Sequence, residues 1–147
     1  MIIVGEVLST LSATKETQTS LRPEVKSLYL IEGHGIEHDK FAGKNPDRSV
    51  MIIGESSYAR ARDAHIELKS GNLGENILLD FDPHQFVEGT LFQIGDACIE
   101  VMEPCTICTH LAKYDTKLPN LLANHRGLYC KIIKSGRVEV GQTVYMR

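Results

Sequence analysis

Gly127-Leu128-Tyr129-Cys130-Lys131-Ile132-Ile133-Lys134-Ser135-Gly136-Arg137-Val138-Glu139-Val140 is two short apolar runs either side of a polar break. Val, Ile and Tyr suit the half-buried, pleated surface of a sheet. The break Lys134-Ser135-Gly136-Arg137 predicts a hairpin turn, with Gly136 at a position of positive φ. A further run follows at 143–146, and runs of the same kind lie upstream at 2–8, 26–32, 48–53, 76–80, 89–94 and 97–103. Two segments have a helical period instead. Residues 55–68 place Tyr58, Ala61, Ala64 and Leu68 inward and Arg60, Arg62 and Asp63 toward water, and 117–124 has Pro119 in its first turn with Leu118, Leu121 and Leu122 on one side. Many short strands and few helices predict a mainly β, barrel-like fold with a few short helices rather than a parallel α/β sheet. Residues 10–19 read as a polar, flexible loop. Without internal repeat, low-complexity tract or linker, residues 1–147 read as one domain.

The composition narrows the function classes. A net charge of -3 at pH 7 speaks against a nucleic-acid partner, which calls for a basic excess. No apolar run approaches the ~20 residues that span a bilayer, and Met1-Ile2-Ile3-Val4-Gly5-Glu6 lacks the basic start of a secretory signal. The expectation is a cytoplasmic protein that does not engage a membrane. In that reducing setting Cys98, Cys105, Cys108 and Cys130 read as core thiols, metal ligands or reactive groups rather than disulfides.

The densest chemical signal is Glu103-Pro104-Cys105-Thr106-Ile107-Cys108-Thr109-His110-Leu111, placed where a strand ends and the chain turns. Loops at strand ends combine fixed position with access, and a nearby cation such as Lys113 favours the thiolate. Zinc is not expected, because a second Cys-x-x-Cys or a His pair at ligand spacing is missing. Haem attachment requires His where Thr109 stands, and a thioredoxin-type pair requires an early βαβ setting. Buried packing thiols are the bland alternative. A second cluster, 33–44, carries glycines, His34, His38, Lys40 and Lys44 and leads to Arg48; it reads as a solvated loop or an anion cradle. Gly74-Glu75-Asn76-Ile77 reads as a turn into a strand, and Arg126 in His125-Arg126-Gly127 offers a planar fork to an anion.

Taken in order, these segments resemble the MOSC family, named for the C-terminal domain of molybdenum cofactor sulfurases. The stretch 35–43 with Arg48-Ser49-Val50, Gly74-Glu75-Asn76, Ile94-Gly95-Asp96, the cysteine motif and Arg126-Gly127-Leu128-Tyr129 follow the family's sequence of motifs. His38 stands where the family often has Gly, Phe41 where it often has His, and Gln142 replaces an Asp. The resemblance implies a strand-rich barrel and assigns the functional cysteine to Cys108, with Cys105 as a second, resolving thiol. It makes Lys40, Arg48 and Arg126 candidates for a pterin phosphate, Asn76 a polar contact, and His38 or His34 a substitute for the missing histidine.

Two mechanisms follow from the resemblance. Cys108 can carry sulfane sulfur as a persulfide, supplied by a cysteine desulfurase in a pyridoxal phosphate-linked pathway. Alternatively, Cys108 ligates the metal of a bound molybdenum cofactor, which reduces an N-hydroxylated small-molecule substrate. The chain has no Gly-x-Gly-x-x-G segment, so electrons would come from a reductase partner. A non-catalytic module that binds an anionic cofactor or docks a partner is the competing class.

Overall fold

The computed structural model describes residues 1–17, 22–106 and 109–147, apart from the side chain of Thr109. The strands are β1 (Ile2–Thr10), β2 (Ser27–Ile31), β3 (Gly35–Ile36), β4 (Val50–Gly54), β5 (Ile77–Leu79), β6 (Leu91–Ile94), β7 (Ala97–Pro104), β8 (Leu128–Lys134), β9 (Gly136–Glu139) and β10 (Thr143–Met146). The helices are α1 (Glu55–Asp63) and α2 (Leu118–Leu121). Seven strands close a barrel in the order β1-β10-β6-β7-β8-β4-β5, and β3-β2-β9 form a separate three-stranded sheet. The fold is mainly β with short helices, as the pattern of runs predicts.

All barrel pairs are antiparallel except β4 with β5. A parallel pair needs a crossover rather than a hairpin, and α1 with the segment after it supplies one. The crossover explains the composition of β4. Val50 and Ile52 face the barrel interior with Phe92, Ile99 and Ile132, whereas Ile53 faces outward to Tyr58, Leu111, Leu118 and Leu122. A strand covered on both faces has no polar alternation, and all five β4 residues are buried. Each fully buried side chain such as Phe92 or Ile52 contributes about 1.5–3 kcal/mol relative to exposure.

Several expectations are corrected by the fold. The runs around residues 134–137 are not partners: β8 pairs with β4 and β7, whereas β9 pairs with β2. The turn passes the chain from the barrel to the small sheet. Gly136 does not adopt positive φ; a Cβ there would stand 2.4 Å from the Ala97 nitrogen, so the glycine permits a close crossing of two backbones. Helix α1 ends at Asp63 rather than 68, and α2 spans four residues rather than eight. Arg48 belongs to a 3-10 turn, Pro46–Arg48, held by the Asn45 side chain, and not to the following strand. Residues 10–17 form the expected polar loop only in part: Thr10 ends β1 and Leu11 and Ala13 are fully buried, whereas Thr14, Lys15 and Glu16 are exposed. Residues 18 and 19 of that expected loop lie outside the described residues. Strand β3 is too short to leave a periodic signal.

Candidate functional site

The site is built on the outer face of the β4-β8-β7 wall. Register places Met51 opposite Tyr129, and Tyr129 opposite Glu103. Because strand side chains alternate faces, Leu128 and Cys130 enter the core while Tyr129 points out between them. Arg48 lies over the Tyr129 ring at 4.9 Å, and its Nε donates to Glu103 Oε1 at 2.6 Å. That bond and the Glu103 charge raise the Arg48 pKa. Cys105 follows directly on β7; its amide donates to the Gly127 carbonyl at 2.9 Å.

Two adjoining hollows, of ≈ 270 Å³ and ≈ 340 Å³, share Arg22, Phe41, Met51 and Tyr129 as walls. Lys44, Arg48 and Asn76 border the first, and Lys40, Cys105, His110, Lys113 and Arg126 the second. Together they form a cleft whose bordering charges are predominantly positive, which suits an anionic ligand.

At the rim, the exposed Phe41 ring gathers the cations of Arg22, Lys40 and Lys44 at 5.0, 5.3 and 5.5 Å. The loop carrying it is pinned by buried Asp39, which accepts from Ser12 Oγ at 2.6 Å and from the Phe41 amide at 3.0 Å, and pairs with Arg22 at 3.4 Å. Burial lowers the Arg22 pKa, and the Asp39 charge opposes that shift.

On the floor, Arg126 is 4% exposed. Its Nη1 donates to the Leu73 carbonyl and its Nη2 to His110 Nε2 at 2.9 Å, while the buried Nε has no hydrogen-bond partner among the described residues. An imidazole that accepts at Nε2 is the neutral Nδ1–H tautomer. Burial, with the Arg126 and Lys113 charges, keeps His110 below the ordinary histidine range. Beneath them buried Glu75 accepts from Tyr58 Oη at 2.6 Å and from the Gly71 amide at 3.0 Å. Burial raises the Glu75 pKa against those bonds. Tyr129 is pushed up to about 12 by burial and then by its hydrogen bond with Cys105, so its hydroxyl keeps its proton beside the sulfur.

The structure brings Lys40, Arg48, Asn76, Cys105 and Arg126 to one cleft. Asn76 has structural duties there: its Oδ1 accepts the Met51 amide at 2.9 Å and its Nδ2 donates to the Leu11 carbonyl at 3.2 Å. His38 lies elsewhere, exposed at φ 66° in a separate depression with His34, Lys15 and Glu16. Cys108 lies outside the described residues. Cys98 and Cys130 are fully buried, and burial raises both thiol pKa values. Sequence reasoning missed Arg22, Met51 and Tyr129 as walls and Phe41 as the post for three cations. For Tyr129 the signal was present, since an aromatic residue alternates there with core residues.

The model of the MOSC domain matches residues 38–145. Among solved structures, the YuaD protein from Bacillus subtilis superposes with a TM-score of 0.76 at 15% identity, covering 97% of this chain and 96% of that one. YiiM from Geobacillus stearothermophilus gives 0.71 at 15%, covering 99% and 74%, and YiiM from Escherichia coli gives 0.70 at 22%, covering 97% and 69%. No curated protein matches the chain. At these identities the likeness to the solved structures establishes the fold, and the family rests on the domain match with its ordered motifs. The chain belongs to the MOSC domain family.

Proposed function

We propose that the chain binds a molybdenum cofactor in the cationic cleft and acts through the thiols of the Cys105-x-x-Cys108 segment. The observation that carries this reading is the placement of Cys105 in the wall of a cleft bordered by Arg22, Lys40, Arg48, Lys113 and Arg126. The donor set fits the group. Guanidinium and ammonium groups suit a phosphate, a thiolate suits a soft metal centre, and the Nε–H of Arg126 is a buried donor without an acceptor among the described residues. Arg126 and Lys40 would hold the anionic end, and Cys108, the cysteine assigned from the family, the metal. When bound, the group supplies two-electron reduction of an N-hydroxylated substrate.

The chain's own residues prepare that chemistry. Tyr129 keeps its proton and donates toward Cys105, which holds that sulfur against the cleft wall. Neutral His110, held by Arg126, keeps a second positive charge from forming on the floor. Electrons would reach the site from a reductase partner.

Metal and pterin content of the purified protein test the reading. Molybdenum with a pterin is expected in the wild type, with metal lost in Cys108→Ser and pterin depleted in Arg126→Ala. Full cofactor content in both variants overturns it. Persulfide on Cys108 without metal would instead establish a sulfur carrier served by a cysteine desulfurase, a reading favoured by the second thiol three residues away.

A further inference from the structure

Arg126 is buried and lies in a short segment just before β8, yet its backbone neighbours are fixed from three directions. Ser57 Oγ of α1 donates to the His125 carbonyl at 2.6 Å. The Cys105 amide donates to the Gly127 carbonyl at 2.9 Å. The third contact is less usual: the Gly127 amide donates to Nε2 of His84 at 2.9 Å. An imidazole nitrogen accepts only when it carries no proton, so this bond requires neutral His84 with its hydrogen on Nδ1. Asp82 meets that requirement, since its Oδ1 lies 2.7 Å from His84 Nδ1 and also accepts the His84 amide at 3.0 Å. Burial favours the neutral carboxyl of Asp82, but the His84 amide and ring outweigh it, and its pKa is lowered.

We propose that Asp82 and His84 form a positioning pair for the anion cleft, in which Asp82 fixes the tautomer of His84 and His84 holds the Gly127 amide so that Arg126 and Cys105 keep their mutual register. The pair rests on the anion-binding reading for its purpose but lies outside the motif segments named above. Its location supports the role. Arg126, Cys105, Gly127 and His84 also border a hollow of ≈ 300 Å³ distinct from the two that form the cleft. Space beside the segment means that packing alone does not fix it. Gly127 adds a second restriction: its φ is 113°, and a Cβ would stand 3.1 Å from Met51 sulfur, so no other residue fits comfortably at that junction.

The same side chains invite a different reading, because ligand atoms of Asp82, His84 and His125 lie within 4.8 Å of one another. A cation on Nδ1 would leave the neutral ring's hydrogen on Nε2, where it would face the Gly127 N–H donor to donor. A cation on Nε2 would displace Gly127 directly. Metal binding and the observed bond are therefore mutually exclusive, and the geometry selects the bond. Protonation of His84 would break it in the same way. Among the described residues, the charged and titratable groups around His84 are Asp82 on its own turn, His125 with ring centroids 5.5 Å apart, Arg60 acting through His125, and Glu88, Glu103, Cys105 and Arg126 beside the adjoining hollow.

The test uses the full chain and sulfate, which stays fully ionised across the working range. A nitrogen–nitrogen coupling between Gly127 and His84 Nε2, read by NMR on ¹⁵N-labelled protein, is expected in the wild type. Sulfate affinity should fall about tenfold in His84→Ala and recover in His84→Gln, whose carbonyl can accept the Gly127 amide. Three results overturn the proposal: no coupling in the wild type, wild-type affinity in His84→Ala, or a loss in His84→Ala that accompanies loss of folded dispersion and is not rescued by Gln. If the coupling is present but the wild type binds no sulfate at Arg126, the anion-cleft reading fails, and with it the purpose assigned to the pair. If added zinc removes the coupling and binds Asp82, His84 and His125 tightly, the metal reading replaces it.

Discussion

The rim and the floor of the cleft both present cations, and they hold them differently. At the rim, Arg22, Lys40 and Lys44 gather around one exposed ring, and Arg48 is fastened to Glu103 at the surface. On the floor, Arg126 is enclosed and its donors meet a carbonyl and an imidazole, while its neighbours along the chain are bonded to α1, to His84 and to Cys105. Lys44 and Arg48 are exposed charges, screened and able to change partner at little cost, with pairs worth roughly 0–1 kcal/mol, while Arg22 and Lys40 are partly covered. An enclosed, oriented guanidinium acts in a lower dielectric and does not reorganise when an anion arrives. The rim attracts the ligand, and the floor fixes where it stops.

The sharpest way to break this contrast is Arg126→Ala. It should lower sulfate affinity about a hundredfold, read by titration calorimetry, and cost about 1–3 kcal/mol in urea unfolding because the Leu73 carbonyl and His110 each lose a donor. A loss no larger than that of a rim variant would erase the distinction.

Glu75, buried under the floor, gives a test through pH. Its folded pKa is raised, so the native state holds a proton that the unfolded state releases near about pH 4.3. The sign follows: its contribution is complete below that value and is lost as pH rises through the folded pKa. Glu75→Gln keeps an acceptor for Tyr58 and Gly71 but has no charge to bury. Urea midpoints should therefore show the variant gaining on the wild type with rising pH; parallel curves would mean that Glu75 ionises on the floor without penalty.

The smallest effect belongs to the rim. Phe41→Ala removes one exposed ring that three cations share, and a cation on such a ring is worth about 0.5–1 kcal/mol in all. Stability should change by less than about 1 kcal/mol and sulfate affinity by about threefold, with a weaker salt dependence of the association rate. A hundredfold loss here would place the anchoring charge at the rim.

Much of the barrel could be read along the chain because alternation is a local property. Residues 97–103 and 143–146 announce themselves by period two, and β4 by an unbroken apolar run. Which strand pairs with which is not local: β8 and β9 are separated by one residue yet enter different sheets, and nothing in Lys134-Ser135-Gly136-Arg137 distinguishes that corner from a hairpin. The same limit governs the site. Lys40, Arg48, Asn76 and Arg126 lie in recognisable segments, whereas Arg22 and the Asp82–His84 pair gain meaning only from what the barrel brings against them. Asp82 caps the 3-10 turn Pro83–Gln85, and His84 takes on its role there only because Gly127 is placed beside it.

Strand β10 sits between β1 and β6, with Ile2 opposite Met146. A ring joined this way has its seam between segments far apart in the sequence, so β1, made well before β10, waits for it before that edge is covered. Such long loops slow folding and leave an adhesive edge exposed in the interval.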